Sequence, residues 1–249
     1  MPDVLILGCG FTGRRVAERL RARGCTVRST TRDSLNLETP GALSALRDMV
    51  TPGVRVLHSI PTLPGDLDRL AVDALEGAAR VVYLSSTGVY GSAECVDETT
   101  PVAPQSERAR ARVRTERAVL DGPWLPLVLR PAAIYGPGRI VRYVRSSGCV
   151  SRIHVDDLAA HAEAAFFSEV TGAWPVADDH PCPSSEIAEF LWRRLTACGG
   201  LTGRHTNRRV DGSAIRRVLG ISLRYPSYRS GIPAALEEQR RACHDRGFQ

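Results

Sequence analysis

The chain has 249 residues, of which 43% are hydrophobic and 24% charged, proportions that are typical of soluble globular proteins. No apolar run approaches the roughly 20 residues of a membrane span, and the first predicted strand begins too close to Met1 to leave room for a signal peptide. We therefore expect a cytoplasmic protein that has no membrane partner.

The formal net charge is +6, and every one of the 33 basic residues is arginine. These arginines are spread along the chain without aromatic interleaving, so we expect no nucleic-acid partner. The seven cysteines are odd in number, scattered and without a CxxC pair, which argues against a disulfide framework and against structural zinc. We predict no metal site.

Short apolar runs alternate with helical stretches over the first 135 residues, a pattern typical of a parallel sheet with crossover helices. Strands are predicted over 4–7, 26–30, 55–59, 80–85, 125–129 and 173–177. Helices are predicted over 12–23, 41–49, 66–76, 105–120, 155–167, 184–195 and 211–219. The segment 199–209 is polar and is predicted to be a loop. The fold class is therefore α/β, a Rossmann-type doubly wound parallel sheet with a small C-terminal substrate lobe.

A glycine-rich turn follows the first strand, where Gly8, Gly10 and Gly13 form the pattern G-x-G-x-x-G at the start of a helix. The first glycine permits a tight turn, the second lets the backbone approach a pyrophosphate, and the third lets helix and strand pack closely. The backbone N–H groups from Phe11 through Thr12 to Gly13 would face the phosphates. This context predicts dinucleotide binding.

The end of the second strand indicates which dinucleotide binds, because an NAD site places an acidic residue there to accept the ribose hydroxyls. This chain has Thr31 and Arg32 instead, and Arg14 follows the third glycine. Hydroxyl and guanidinium groups suit a 2′-phosphate, which favours NADP over NAD. The alternative is that Arg32 is a solvated loop residue and Asp33 accepts the ribose.

Three further segments carry a family resemblance: 85–91 (SSTGVYG), 129–138 (LRPAAIYGPG) and 152–157 (RIHVDD). With the glycine turn, they make the chain similar to the extended short-chain dehydrogenase/reductases, which include NAD(P)-dependent epimerases and dehydratases. The resemblance implies that Ser86, four residues before Tyr90, hydrogen-bonds the substrate. It also implies that the turn containing Pro131 touches the nicotinamide. We place Ser59, Ile60 and Pro61, after the third strand, among the cofactor contacts.

The chain departs from that family at its Tyr-x-x-x-Lys pair, in which tyrosine is the acid/base and lysine holds the nicotinamide ribose. When the family's glutamate is aligned with Glu116, the tyrosine position falls on Arg108 and the lysine position on Arg112. Arg112 could still donate to the ribose hydroxyls. Arginine is a poor proton shuttle because it stays charged, so the resemblance implies an atypical member.

Other candidates for acid/base chemistry are Tyr90, Tyr135 and the cluster of His154, Asp156 and Asp157. His154 titrates near neutrality in its unperturbed state, but it could equally be packed where the chain re-enters the sheet. Tyr135 follows a strand at the edge where ligands bind in open α/β sheets, and either a core or a site role suits it.

We predict an NADP-binding Rossmann domain over 1–134 and a smaller substrate-binding lobe over 135–249 that lends elements back to the sheet. The predicted function is NADP-dependent oxidoreduction of a small carbonyl, alcohol or imine compound. The alternatives are a non-redox cyclase, dehydratase or epimerase, and a non-catalytic nucleotide sensor. Only 17 residues separate Gly138 from Asp156, fewer than in the family, so the pocket is either more open or completed by a second subunit of a homodimer.

Overall fold

The computed structural model describes residues 2–140, 148–192 and 207–246. The strands in these ranges are β1 (Asp3–Leu7), β2 (Thr26–Thr30), β3 (Arg55–His58), β4 (Arg80–Leu84), β5 (Cys95–Val96), β6 (Leu125–Pro131), β7 (Ala133–Tyr135), β8 (Cys149–Val150), β9 (Arg152–His154), β10 (Gly172–Val176), β11 (Cys182–Pro183) and β12 (Arg209–Val210). The helices are α1 (Phe11–Ala22), α2 (Ala42–Met49), α3 (Leu67–Asp73), α4 (Glu107–Leu120), α5 (Val155–Phe166), α6 (Ser184–Trp192), α7 (Ser213–Leu219) and α8 (Tyr228–Arg246).

The central sheet has six parallel strands in the order β2-β1-β3-β4-β6-β10. The chain moves outward from β1 to β2 and then crosses back to β3 on the other side. The strand order therefore reverses between β1 and β3, and ligands of open α/β sheets bind at the carboxyl end of such a crevice. The predicted Rossmann-type fold class is confirmed.

Both faces of the sheet are covered by helices. One apolar layer joins β1, β4 and β6 to α1, α5 and α7 through residues such as Val16, Leu158 and Ile215. The opposite layer joins the alternate residues of the same strands to α2, α3 and α4, through residues such as Leu46, Val72 and Val119. Because both faces are buried, the central strands are nearly continuous apolar runs.

The second half of the chain returns to this sheet. β10 pairs with β6 in parallel over residues 172–176 and 127–131, and α5 packs beside α1, where Glu163 accepts hydrogen bonds from Arg19. Outside the sheet lie three two-stranded pairs, β7–β9, β8–β11 and β5–β12, of which β5–β12 joins the two halves of the chain. The boundary between 134 and 135 remains a prediction.

Two differences from the predicted elements stand out. The long helix α8 was not predicted, because Gly231 and Pro233 lie inside it and both residues disfavour helix interiors. The glycine is there for packing, since a Cβ on it would lie 2.1 Å from the Tyr135 hydroxyl. Arg209 is the first residue of β12, whereas the sequence predicts that it ends a loop. Two predicted segments lie outside the described residues: the end of α6 at 193–195 and most of the loop, 199–206.

Across 2–140, 148–192 and 207–246, no helix combines the length and apolarity needed to cross a membrane.

Candidate active site

The glycine turn has the geometry that its three glycines predict. Gly8 adopts φ +85°, a conformation that favours glycine. A Cβ on Gly13 would lie 2.6 Å from the Gly8 carbonyl oxygen, so only glycine allows α1 to pack this closely against the strand end. Around Gly10, by contrast, no atom lies within 4 Å of such a Cβ. The middle of the turn is therefore open on the side where a ligand could approach.

The amino terminus of α1 lies at this opening and is electrostatically unsatisfied. Gly10 is its N-cap and offers no side chain to accept the first N–H groups, and the first turn contains no acidic residue. Exposed N–H groups and the helix dipole favour an anion at such an end. Phe11, Thr12 and Gly13 thus fit the pyrophosphate of a dinucleotide.

The end of β3 closes the other side of the crevice. The Ser59 hydroxyl lies 2.6 Å from the Gly8 carbonyl oxygen and 3.1 Å from the Leu7 carbonyl oxygen, to either of which it can donate. A Cβ on Gly8 would lie 3.0 Å from the backbone nitrogen of Ile60, and Pro61 beyond it is exposed. Ser59 fixes the position of the glycine turn. Ser59, Ile60 and Pro61 lie where the strand order reverses, between β1 and β3.

The residues after β2 are exposed and bonded among themselves. Arg32, with 75% of its side chain exposed, pairs with Glu38 at 2.9 Å, and the Thr31 hydroxyl accepts from the Ser34 backbone at 3.4 Å. Exposed ion pairs of this kind are weak, so Arg32 is free to exchange Glu38 for a phosphate. Asp33 and Arg14 are also exposed.

A cavity of about 750 Å³ opens beyond the carboxyl ends of β4 and β6. Its wall includes Ser86, which follows β4, and Pro131, the last residue of β6. The Ser86 oxygen accepts a hydrogen bond from the Gly88 backbone at 3.1 Å and so caps the 3₁₀ turn Thr87–Tyr90. A hydroxyl that accepts still has its own proton to donate. Capping therefore orients Ser86 without using up its donor.

Arg112 reaches the same strand end from α4. One of its terminal nitrogens lies 3.2 Å from the Leu84 carbonyl oxygen and 3.4 Å from the Tyr83 hydroxyl. Arg112 therefore contacts the end of β4, two residues before Ser86, but it does not line the cavity. Arg108, one turn earlier, is exposed, and Arg114 pairs with Glu107 at 2.9 Å on the outer face of the helix.

Glu116, the residue aligned with the family's glutamate, forms a buried ion pair. Its carboxylate accepts from Arg130 at 2.7 Å, and both side chains are nearly inaccessible to solvent. Arg130 also donates to the Tyr90 hydroxyl at 3.2 Å, and burial raises the pKa of Tyr90. This network links α4, β6 and the turn after β4 and holds Tyr90 inside the core.

Tyr135 and His154 lie in a separate buried cluster on β7 and β9. Their rings are 5.2 Å apart at 84°, and the His154 ring lies 4.1 Å from that of Tyr225. His154 is the N-cap of α5, where its Nδ1 accepts from the Asp156 backbone at 3.2 Å. Burial, reinforced by the charge of Arg15, lowers the pKa of His154 to about 4.

The rest of this cluster is also bonded to the backbone. The Tyr135 hydroxyl donates to the Ser227 carbonyl at 3.4 Å, and burial raises the pKa of Tyr135. The Asp157 carboxylate accepts from the backbones of Arg224 and Tyr225, at 2.7 and 3.0 Å. These bonds hold the segment before α8 against β9. None of the side chains of this cluster lines the 750 Å³ cavity.

Three possible metal ligands come together at His180, Cys182 and Glu186, whose ligand atoms lie within 4.8 Å of one another. Guanidinium groups already occupy two of them: Arg152 contacts the Cys182 sulfur at 3.6 Å, and Arg229 pairs with Glu186 at 2.6 Å. Burial raises the pKa of Cys182 to about 11. Two adjacent cations and a protonated thiol make this cluster a poor host for a metal ion.

Arg208 is a cavity residue that sequence reasoning missed. Its guanidinium donates to the backbone carbonyls of Ala93, at 2.9 Å, and of Thr87 and Gly91. Within the described ranges, no salt bridge reaches it, and burial lowers its pKa. An uncompensated cation in the wall favours an anionic ligand. The polar segment 199–209 carried no motif that could have identified it.

Comparisons with known proteins bear on this site. No family model matches the chain. It is 27% identical to the 3-diazoavenalumate denitrifying reductase of a Streptomyces species over 303 aligned positions, which cover 92% of this chain and 98% of that protein.

Solved structures match over almost the whole chain. A conserved protein of unknown function from Silicibacter pomeroyi is 29% identical, with a TM-score of 0.73 and coverage of 96% and 99% of the two chains. A UDP-N-acetylglucosamine 4-epimerase from Bacillus cereus is 17% identical, with a TM-score of 0.78 and coverage of 96% and 100%. A short-chain dehydrogenase/reductase superfamily protein from Agrobacterium tumefaciens, with bound NAD, is 18% identical, with a TM-score of 0.76 and coverage of 98% and 99%.

These neighbours agree with the resemblance that the glycine turn and the SSTGVYG segment carry in the sequence. The chain therefore has the Rossmann-type fold of the short-chain dehydrogenase/reductase and NAD-dependent epimerase/dehydratase proteins.

Proposed function

We propose that this protein is an NADP-dependent oxidoreductase that acts on a small carbonyl, alcohol or imine compound. The observation that carries the proposal is the position of the 750 Å³ cavity, which has the Ser86 hydroxyl in its wall and opens at the sheet edge that also carries the glycine turn. The reductase-named relative and the NAD-bound structural neighbour support a nicotinamide-dependent oxidoreductase or epimerase type of activity.

The residues present fit the cofactor. The N–H groups from Phe11 to Gly13 would hold the pyrophosphate, and Arg112 would hold the nicotinamide ribose. Thr31, Arg32 and Arg14 would hold the 2′-phosphate. When bound, the nicotinamide supplies or accepts the hydride.

Substrate activation falls to the cavity wall. Ser86 donates a hydrogen bond from its hydroxyl to the reacting oxygen or nitrogen and stabilises the negative charge that develops there. The proton that completes a reduction comes from the solvent in the open cavity. Arg208 attracts an anionic group elsewhere on the substrate. Among the described residues of the wall, Glu94 is the one carboxylate, and it is exposed to the solvent with which it can exchange protons.

The cofactor preference is tested by calorimetric titration with NADPH and NADH. We expect NADPH to bind at least tenfold more tightly, about 1.4 kcal/mol, because Arg32 and Thr31 replace an acidic residue. Arg32→Glu should reverse the order, whereas Arg69→Glu, which changes an exposed arginine on α3, should leave it unchanged. Equal affinities in the wild type would contradict the NADP assignment.

The class of reaction is tested by accounting for the cofactor. An oxidoreductase converts NADPH to NADP⁺, or NADP⁺ to NADPH, in equal amount to product, an epimerase returns the cofactor, and a cyclase or sensor leaves it unchanged. Product formation without any change in NADPH absorbance would replace the proposal by the epimerase or cyclase alternative.

A further inference from the structure

A tight turn over residues 136–139 lies beside the first residue of α1. Gly136 and Arg139 exchange backbone hydrogen bonds of 3.3 and 2.9 Å, and Gly138 adopts φ +73°. The Gly138 backbone also donates to the Gln239 side chain on α8 at 3.3 Å. The turn is therefore closed on itself and anchored to the C-terminal helix.

The turn packs directly on Phe11. A Cβ on Gly136 would lie 3.3 Å from the tip of the Phe11 ring and 2.6 Å from a methyl group of Val155. The Arg139 guanidinium carbon lies 5.5 Å from the centre of the same ring. This distance is within the range of a cation–π contact. The contact with the Phe11 ring therefore holds the Arg139 guanidinium near the amino terminus of α1.

Arg139 has no acidic partner there. Its side chain is exposed, and no salt bridge in the described parts of the chain involves it. The carboxylates of Asp156 and Glu238 both pair with Arg15. The Arg139 guanidinium makes no hydrogen bond to a described residue, and its planar fork of N–H groups matches two phosphate oxygens.

We propose that Arg139 is a positioning residue that binds the pyrophosphate of the dinucleotide opposite the glycine turn, an inference that rests on the proposed function. The glycine turn offers the two phosphate charges only backbone N–H groups, from one side. Arg139 adds a full positive charge from the C-terminal half of the chain. The dinucleotide is thereby held between the two halves.

The test compares wild type, Arg139→Gln and Arg139→Lys in titrations with NADPH and with ADP-ribose, which keeps the pyrophosphate but lacks the nicotinamide and the 2′-phosphate. We expect Arg139→Gln to weaken both ligands about tenfold and Arg139→Lys to recover part of the loss. The matched control, Arg69→Gln on α3, should bind both ligands as the wild type does. Because screening weakens exposed charge contacts, the difference between wild type and Arg139→Gln should shrink as salt is raised.

The outcomes separate the two proposals. A wild-type protein that binds neither ligand overturns the proposed function. A wild type that binds both, with equal affinity in Arg139→Gln, overturns this inference alone. A loss that is independent of salt, or that accompanies a lower melting temperature, assigns Arg139 to the packing of the turn and also overturns the inference.

Discussion

Two polar regions of this chain contain residue types suited to acid/base work, and they differ in what surrounds them. At the end of β4, Ser86 lines a 750 Å³ cavity and keeps a free donor, and Arg112 contacts the Leu84 carbonyl two residues earlier. At β7 and β9, Tyr135 and His154 are almost fully buried and bonded to backbone groups of α5 and of the segment before α8.

The difference shows that residue type alone does not identify a catalytic group. His154 and Tyr135 are the stronger acid/base candidates by chemistry, yet the Tyr135 hydroxyl and the His154 Nδ1 are bonded to backbone groups of the segment before α8 and of α5. The His154 Nε2 is buried and has no hydrogen-bond partner among the described residues. Ser86 is the weaker acid, but it lines the cavity. We therefore propose that the chemistry takes place at the β4 edge and that the β7–β9 cluster has a structural role.

The sharpest test of this contrast is Ser86→Ala. Removing one donor to developing charge typically lowers the rate about 10²–10³-fold, so we expect turnover to fall at least a hundredfold, on the order of 3 kcal/mol. Cofactor affinity should stay within about threefold. Single-turnover rates and calorimetry measure the two quantities, and Thr87→Ala is the matched control. If the Ser86→Ala protein is less stable but fully active, Ser86 serves only to cap the 3₁₀ turn.

The second test is the pH dependence of stability in wild type and His154→Asn. The pKa of His154 is lowered from 6.5 to about 4 in the folded state, so the unfolded chain binds a proton that the folded chain does not. The stability that depends on neutral His154 is present above pH 6.5 and is lost as the pH falls towards 4. For this nearly inaccessible side chain, the loss is about 3 kcal/mol.

Asparagine is a good N-cap and can accept the same backbone hydrogen bond, so the variant should fold but lack this acid sensitivity. The raised pKa of Asp178, about 7, acts in the opposite direction in both proteins and cancels in the comparison. Denaturant melts from pH 7 to pH 4 provide the measurement. If His154→Asn keeps its stability but loses turnover, His154 belongs to the chemistry and the contrast fails.

The smallest expected effect concerns Arg112. If its guanidinium holds the cofactor ribose, Arg112→Ala should weaken NADPH binding about tenfold, or 1.4 kcal/mol. Arg114→Ala should not, because Arg114 is exposed and pairs with Glu107. Titration of both variants tests the alignment on Glu116, and equal losses would show that this alignment is wrong.

The first half of the fold could be predicted closely, because its signals are local. The glycine turn, the buried strands and the polar helix ends each lie within a few neighbouring residues. The predicted strand 26–30, for example, agrees with the structure.

What could not be predicted depends on contacts between distant segments. Gly231 disfavours a helix locally, and only the Tyr135 ring explains its presence in α8. Arg208 belongs to no motif and enters the cavity because its backbone pairs with Val150 in an isolated bridge. The role of His154 as the cap of α5 could likewise not be predicted, because it depends on the path of β9.

The return of the chain to the sheet has a consequence for synthesis. The helix that opens the dinucleotide site, α1, packs against α5, and the edge of the sheet is completed by β10. Both are made long after the glycine turn has left the ribosome, and such non-local contacts slow folding because a long loop must close first. A nascent chain that ends at residue 134 lacks the α5 side chains that complete the apolar layer around α1. We therefore expect this layer, and the glycine turn that opens α1, to reach its final packing only after residues 155–176 have been made.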